Sequence, residues 1–238
     1  MAAKQHGERL LSLKNIGVSY RRRGGLHRQP PFWALDDVSL EIYRGETLGV
    51  IGRNGVGKST LLRLLAGIIN PDRGTIHLDI RCHISLLSLQ VGFIPQLTGR
   101  ENAVLSGMLL GMRRKEIEAR MDDIISFSEL RDFIDQPISV YSTGMRARLG
   151  FSVAFQANPD ILLVDEVLGV GDAEFREKSA HVMRQKIRSN RTVVLVSHNP
   201  QTIRNLCDRA VWIEKGCTRL EGDPGSVLAA YAGSQKST

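Results

Sequence analysis

A chain of 238 residues, 42% hydrophobic and 24% charged, can bury a substantial core, either as one large domain or as a domain with an inserted subdomain. It contains no run of about 18 apolar residues and no apolar h-region behind its N-terminal charges, so neither a membrane span nor a secretion signal is expected. Three scattered cysteines, Cys82, Cys207 and Cys217, exclude a disulfide framework or a cysteine-rich metal site and fit the reduced thiols of a cytoplasmic protein.

In chain order, an alternating segment from Leu11 to Tyr20 predicts a strand, and the Gly/Pro-interrupted stretch RRRGGLHRQPP at 21–31 predicts a surface loop. The formal net charge is +7, and basic residues cluster at Arg21 to Arg23 with Arg28 and again at Arg113 to Lys115. These clusters suit an anionic leaflet or an anionic glycolipid, and solvated loops would account for them equally. Nucleic acid is not expected as a partner, because no aromatic interleaving and no nucleic-acid motif accompanies the charge.

The apolar run Thr47 to Ile51 leads into GRNGVGKST at 52–60 and then into a helical pattern from Leu61 to Ala66. A strand, a glycine loop and a helix form the context that the phosphate-binding pattern G-x-x-x-x-G-K-[ST] requires. Across Gly52, Arg53, Asn54, Gly55, Val56 and Gly57 the glycines let backbone N–H groups approach phosphate oxygens, and the helix N-terminus adds partial positive charge. Lys58 is expected on the β and γ phosphates, the Ser59 hydroxyl on Mg²⁺, and Thr60 on a phosphate nearer the ribose. ATP with Mg²⁺ is the implied ligand.

Beyond the phosphate loop, GFIPQLTGREN at 92–102 contains Gln96, and residues 99–157 change character, with helical periodicity over Arg114 to Leu130 and Arg146 to Ala157. Between those patterns YSTGM at 141–145 places Ser142 and Gly144 just before a helix, again an arrangement that faces an anion. The run Ile161 to Val164 predicts a buried strand that delivers Asp165 and Glu166 to the carboxyl edge of a parallel sheet, where ligands bind. Asp165 is expected to hold Mg²⁺ directly or through water, and Glu166 to polarise the attacking water as general base. Strand and helix alternate again from residue 160, through Thr192 to Ser197, His198, and Ala210 to Glu214, with no internal repeat.

The phosphate loop, the acidic strand end and YSTGM together resemble the ABC-type ATPases, whose LSGGQ-like signature opens a helix. The resemblance implies an α/β fold with a P-loop NTPase (RecA-like) core, an N-terminal antiparallel β region and an inserted α-helical subdomain. It places the ATPase domain at 8–232, the helical insertion at about 99–157 and a tail at 233–238. Ser142 and Gly144 would bind the γ phosphate of ATP held by a second subunit, although Thr143 and Met145 replace the usual glycine and glutamine. Asp172 would end a D-loop at the subunit interface, His198 would sense the γ phosphate, and Tyr20 would stack on adenine. Gln96 would be the glutamine that reaches Mg²⁺, with Gln90 as the alternative.

More narrowly, LTGREN at 97–102, YSTGMRARLGF at 141–151 and VDEVLGVGDAEFREK at 164–178 resemble the ATPases of polysaccharide exporters, which serve O-antigen, capsule and teichoic acid. This implies a peripheral subunit on the cytoplasmic face of the inner membrane, a separate transmembrane permease and lipid-linked polysaccharide as cargo. One phosphate loop and one signature per chain imply a head-to-tail homodimer around two ATP molecules. The sequence stops soon after Tyr231, so no appended carbohydrate-binding domain is expected. An importer ATPase and a soluble ABC ATPase are the alternatives.

Overall fold

The computed structural model describes residues 7–21, 30–79, 82–87, 90–165, 171–189 and 191–236. Its strands are β1 (Arg9–Tyr20), β2 (Phe32–Tyr43), β3 (Thr47–Ile51), β4 (Arg73–Leu78), β5 (Ile84–Leu86), β6 (Ile161–Asp165), β7 (Thr192–Val196), β8 (Arg209–Glu214) and β9 (Cys217–Gly222). Its helices are α1 (Lys58–Leu65), α2 (Gly99–Leu109), α3 (Arg114–Ala119), α4 (Met121–Ser128), α5 (Thr143–Gln156), α6 (Ala173–Arg188), α7 (Pro200–Leu206) and α8 (Pro224–Lys236). The described residues form two compact units, one drawn from Met1–Leu86, Ile161–Glu166 and Ile187–Thr238, the other from Leu87–Asp160 and Val167–Lys186.

The first unit is built on one sheet of order β4-β1-β2-β9-β8-β3-β7-β6-β5. β3, β7, β6 and β5 run parallel with β8, whereas β1 pairs antiparallel with both β2 and β4. Every residue of β3 and β7 is buried, which is why those strands read as continuous apolar runs rather than alternating ones. β1 departs from the expected alternation. Leu13 pairs with Leu40 but Ile16 with Val38, so the strand carries an extra residue at a bulge where Asn15 adopts φ +50°. The Asn15 amide donates to Asp37 Oδ1 at 3.0 Å, and the shift returns both Leu13 and Ile16 to the core.

α1 starts three residues before the apolar pattern suggests and buries Leu61, Leu62, Leu64 and Leu65 in the core shared with Val50, Leu163, Val194 and Val211. At the amino-terminal edge of the sheet, Arg209 meets Glu46 in a two-pronged ion pair of 2.7 and 3.0 Å, both side chains more than nine-tenths buried. Arg209 also donates to the Glu41 carbonyl and faces Glu221, while Glu46 accepts the Tyr43 N–H at 2.7 Å.

The second unit is helical. α2 opens with a capping box in which Thr98 Oγ1 accepts the Glu101 N–H at 3.2 Å and Glu101 accepts the Thr98 N–H at 2.8 Å. Fully buried Asn102 accepts the Ile94 N–H and donates to the Ile94, Leu97 and Thr98 carbonyls, which fixes the turn that carries Gln96. The single pattern expected over Arg114 to Leu130 is two helices, parted at Arg120. Ile117, Met121, Ile124 and Ile125 stay buried on both sides of the break, so the periodicity conceals it. Phe127, Phe151, Phe155 and Phe175 form an aromatic cluster that joins α4, α5 and α6, with ring centroids 5.5 to 6.1 Å apart.

Candidate functional site

The carboxyl ends of β3, β7 and β6 lie side by side, because Val50 pairs with Val196 and Val196 with Asp165. One sheet edge therefore receives the loop that begins at Gly52, the Ser197–His198 turn and the Asp165 carboxylate. Gly57 closes the loop on α1 at φ +101°, and a Cβ there would lie 2.2 Å from the Ala34 carbonyl oxygen. Both the backbone region and the close approach exclude a side chain. Gly57→Ala is expected to cost about 1–2 kcal/mol for the left-handed backbone alone, and more for the clash. A lowered melting temperature together with lost ATP binding in a calorimetric titration is the result that checks it.

The Lys58 ammonium turns back onto the loop, donating to the Gly52 carbonyl at 2.7 Å and the Arg53 carbonyl at 2.9 Å. Burial pushes its pKa down, and the Asp165 charge works in the opposite direction. Ser59 Oγ donates to Asp165 Oδ2 at 3.1 Å. These groups line a cavity of about 500 Å³ together with Asn54, Gly55, Thr60 and the aromatic residues Tyr20 and Phe32. The two aromatics face each other across the β1–β2 ladder, and both are about two-fifths exposed. Phe32 is absent from the sequence reading; the signal that locates it is the strand register, which places it opposite Tyr20.

Arg53 is exposed and Val56 half-buried beside this cavity. His198 sits exposed at the end of β7, just before Asn199, which caps α7 by accepting the Gln201 N–H at 2.8 Å. Glu166, expected as the general base, lies outside the described residues.

The remaining expected residues belong to the second unit. Ser142 is the N-cap of α5, where Oγ accepts the Met145 N–H at 3.1 Å and keeps its own proton free to donate to an anion. Among the described residues, a Cβ at Gly144 would meet only Ser142 Oγ, at 3.7 Å. Asp172 Oδ1 accepts the Phe175 N–H at 3.0 Å at the start of α6, and its other oxygen pairs with Arg148. That guanidinium, more than the helix cap, holds the carboxyl below the usual carboxylate range. Gln96 is exposed in the turn before α2, and Gln90 occupies a left-handed conformation at φ +67°.

The first unit's cavity fits a triphosphate with a divalent cation. A buried ammonium met by neutral carbonyls, the backbone N–H groups of the loop around Gly55 and a helix N-terminus all favour an anion there. The Ser59 and Asp165 oxygens, already 3.1 Å apart, are a hard-oxygen pair of the kind Mg²⁺ takes.

The chain is similar to known proteins. The ABC transporter family profile matches residues 35–169. The O-antigen export system ATP-binding protein RfbB of Klebsiella pneumoniae is 48% identical over 219 residues, which cover 92% of this chain and 89% of that protein. The teichoic acids export ATP-binding protein TagH of Enterococcus faecalis is 46% identical over 205 residues, 86% of this chain and 45% of that protein. Among solved structures, an ATP binding subunit of an ABC transporter aligns with TM-score 0.72 and 22% identity over 94% of this chain and 93% of its own. The dimeric post-hydrolysis state of the ATP-binding cassette MJ0796, bound to ADP and Pi, aligns with TM-score 0.70 and 24% identity over 90% and 99%. The expected α/β fold, with its antiparallel N-terminal region and helical insertion, is the one these structures share.

Proposed function

Because the chain belongs to the ABC transporter family, we propose that it is the ATP-hydrolysing subunit of an exporter that moves lipid-linked polysaccharide, such as O-antigen or capsule, across the inner membrane. The observation that carries the ATPase half is the Lys58, Ser59 and Asp165 cluster at the floor of the cavity. The export half is supported by the relatives named for O-antigen and teichoic acid export.

In this reading the loop from Gly52 to Gly57 cradles the phosphates with its N–H groups, and Lys58 exchanges two carbonyls for the β and γ oxygens. Thr60 takes a phosphate nearer the ribose, and Tyr20 with Phe32 offers the base a flat surface. Ser59 and Asp165 would hold Mg²⁺, which would neutralise phosphate charge there. Glu166 accepts a proton from the attacking water, and His198 contacts the γ phosphate from the neighbouring strand end. Ser142 and Gly144 belong to the site of a second copy, with Asp172 at the interface, so each chain carries two half-sites and works as a homodimer.

Among the described residues no helix is long and apolar enough to cross a membrane. In this reading the glycan path belongs to a separate permease, with this subunit peripheral on its cytoplasmic side. The test is genetic: delete the chain, restore it as wild type or as Glu166→Gln, and measure surface polysaccharide beside intracellular lipid-linked glycan. Surface loss with internal accumulation, reversed only by the wild type, is the expected result. An unchanged surface in all strains would remove the glycan assignment and return importers and soluble ABC ATPases to consideration.

A further inference from the structure

Arg148 lies six residues beyond the helix-capping Ser142 and is only 18% exposed. Its guanidinium reaches two carboxylates on two other segments, Glu129 at 2.6 Å and Asp172. Glu129 ends α4 in a left-handed conformation at φ +59°, and its second oxygen takes Lys178 of α6 at 2.6 Å. The Arg148 guanidinium carbon lies over the Phe175 ring, 5.1 Å from its centre. The side chain is therefore held from three directions, and Asp172 is held from two, by Arg148 and by the Phe175 N–H.

A guanidinium in such a setting fixes direction more than it adds stability. Exposed ion pairs contribute little, whereas a rigid fork stacked on an aromatic ring holds its partners in one geometry. A reacting constellation misplaced by about 1 Å can lose about 10²-fold in rate.

We propose that Arg148 is a positioning residue that yokes Asp172 to the helix capped by Ser142, so that both reach the second copy's nucleotide as one rigid piece. This rests on the dimeric ATPase reading above. Lysine at this position keeps the charge but reaches one carboxylate at a time, so it restores the function in part.

The test uses the full chain as wild type, Arg148→Met, Arg148→Lys, Asp172→Asn and the Arg148→Met/Asp172→Asn double variant, with melting temperatures measured throughout. Without nucleotide, Arg148→Met is expected to speed amide exchange at Phe175 by about 10-fold, while the Met145 amide stays within about twofold. With MgATP, it is expected to lower kcat about 10-fold and leave KM within about twofold, with Arg148→Lys in between. The double variant should lose no more than the worse single one, because both changes break the same link. Unchanged exchange at Phe175, or losses that multiply in the double variant, would overturn the yoke. A wild-type chain that turns over no ATP would instead defeat the ATPase reading, and the exchange comparison would still decide whether the link exists.

Discussion

Glu166→Gln is expected to lower steady-state ATP turnover by about 10²- to 10⁴-fold while ATP still binds, the usual loss when a general base is removed. The amide has nearly the shape of the carboxylate but cannot take the proton that the attacking water must release. Because Lys58, Ser59 and Asp165 are untouched, the nucleotide remains seated, and two copies should stay associated around unhydrolysed ATP. Rapid-quench turnover together with light scattering in excess ATP and Mg²⁺ measures both effects. Turnover at the wild-type rate would remove Glu166 from its role. A strictly monomeric variant would argue against a cycle in which binding closes a dimer and hydrolysis opens it.

The second large effect concerns stability and lies at the far edge of the sheet. Arg209→Met strands the Glu46 carboxylate in a site more than nine-tenths buried, with the Tyr43 N–H at 2.7 Å as its remaining donor among the bonds described. Removing one partner of a buried pair typically costs about 3–5 kcal/mol, because the other charge stays desolvated and unpaired. Glu46→Gln should cost less, since Arg209 keeps the Glu41 carbonyl and Glu221. Replacing both residues by apolar ones of similar volume should recover most of the loss. Urea midpoints for the four proteins check that order. ATP binding should survive in whatever fraction folds, because this pair is at the amino end of the strands and the phosphate loop is at the carboxyl end.

The parts of the molecule legible in the sequence are those where one physical demand dictates residue type. β3, β6 and β7 are covered on both faces and so appear as unbroken apolar runs, and the phosphate loop needs glycine, lysine and a hydroxyl at fixed spacing. α2 was less legible because it buries Gly99, Asn102, Ala103, Ser106 and Gly107 rather than large apolar residues, which leaves little periodic signal. Its capping box was present in LTGREN, but as a start signal without an apolar stripe behind it. The bulge at Asn15 and the break at Arg120 depend on single backbone conformations that hydrophobic patterning does not register. Phe32 and Arg148 escaped for another reason. Their surroundings are set by cross-strand register and by helix packing, and neither is written in the local sequence.

The Tyr20–Phe32 pair has a consequence for fuel choice. Stacking accepts any base, since every base has a π-face. Among the described residues, the lining at that end is Tyr20, Phe32 and Ala34, whose one polar side-chain atom is the Tyr20 hydroxyl. In the proposed reading, selectivity would then rest on the triphosphate contacts of Lys58 and Ser59 more than on the base.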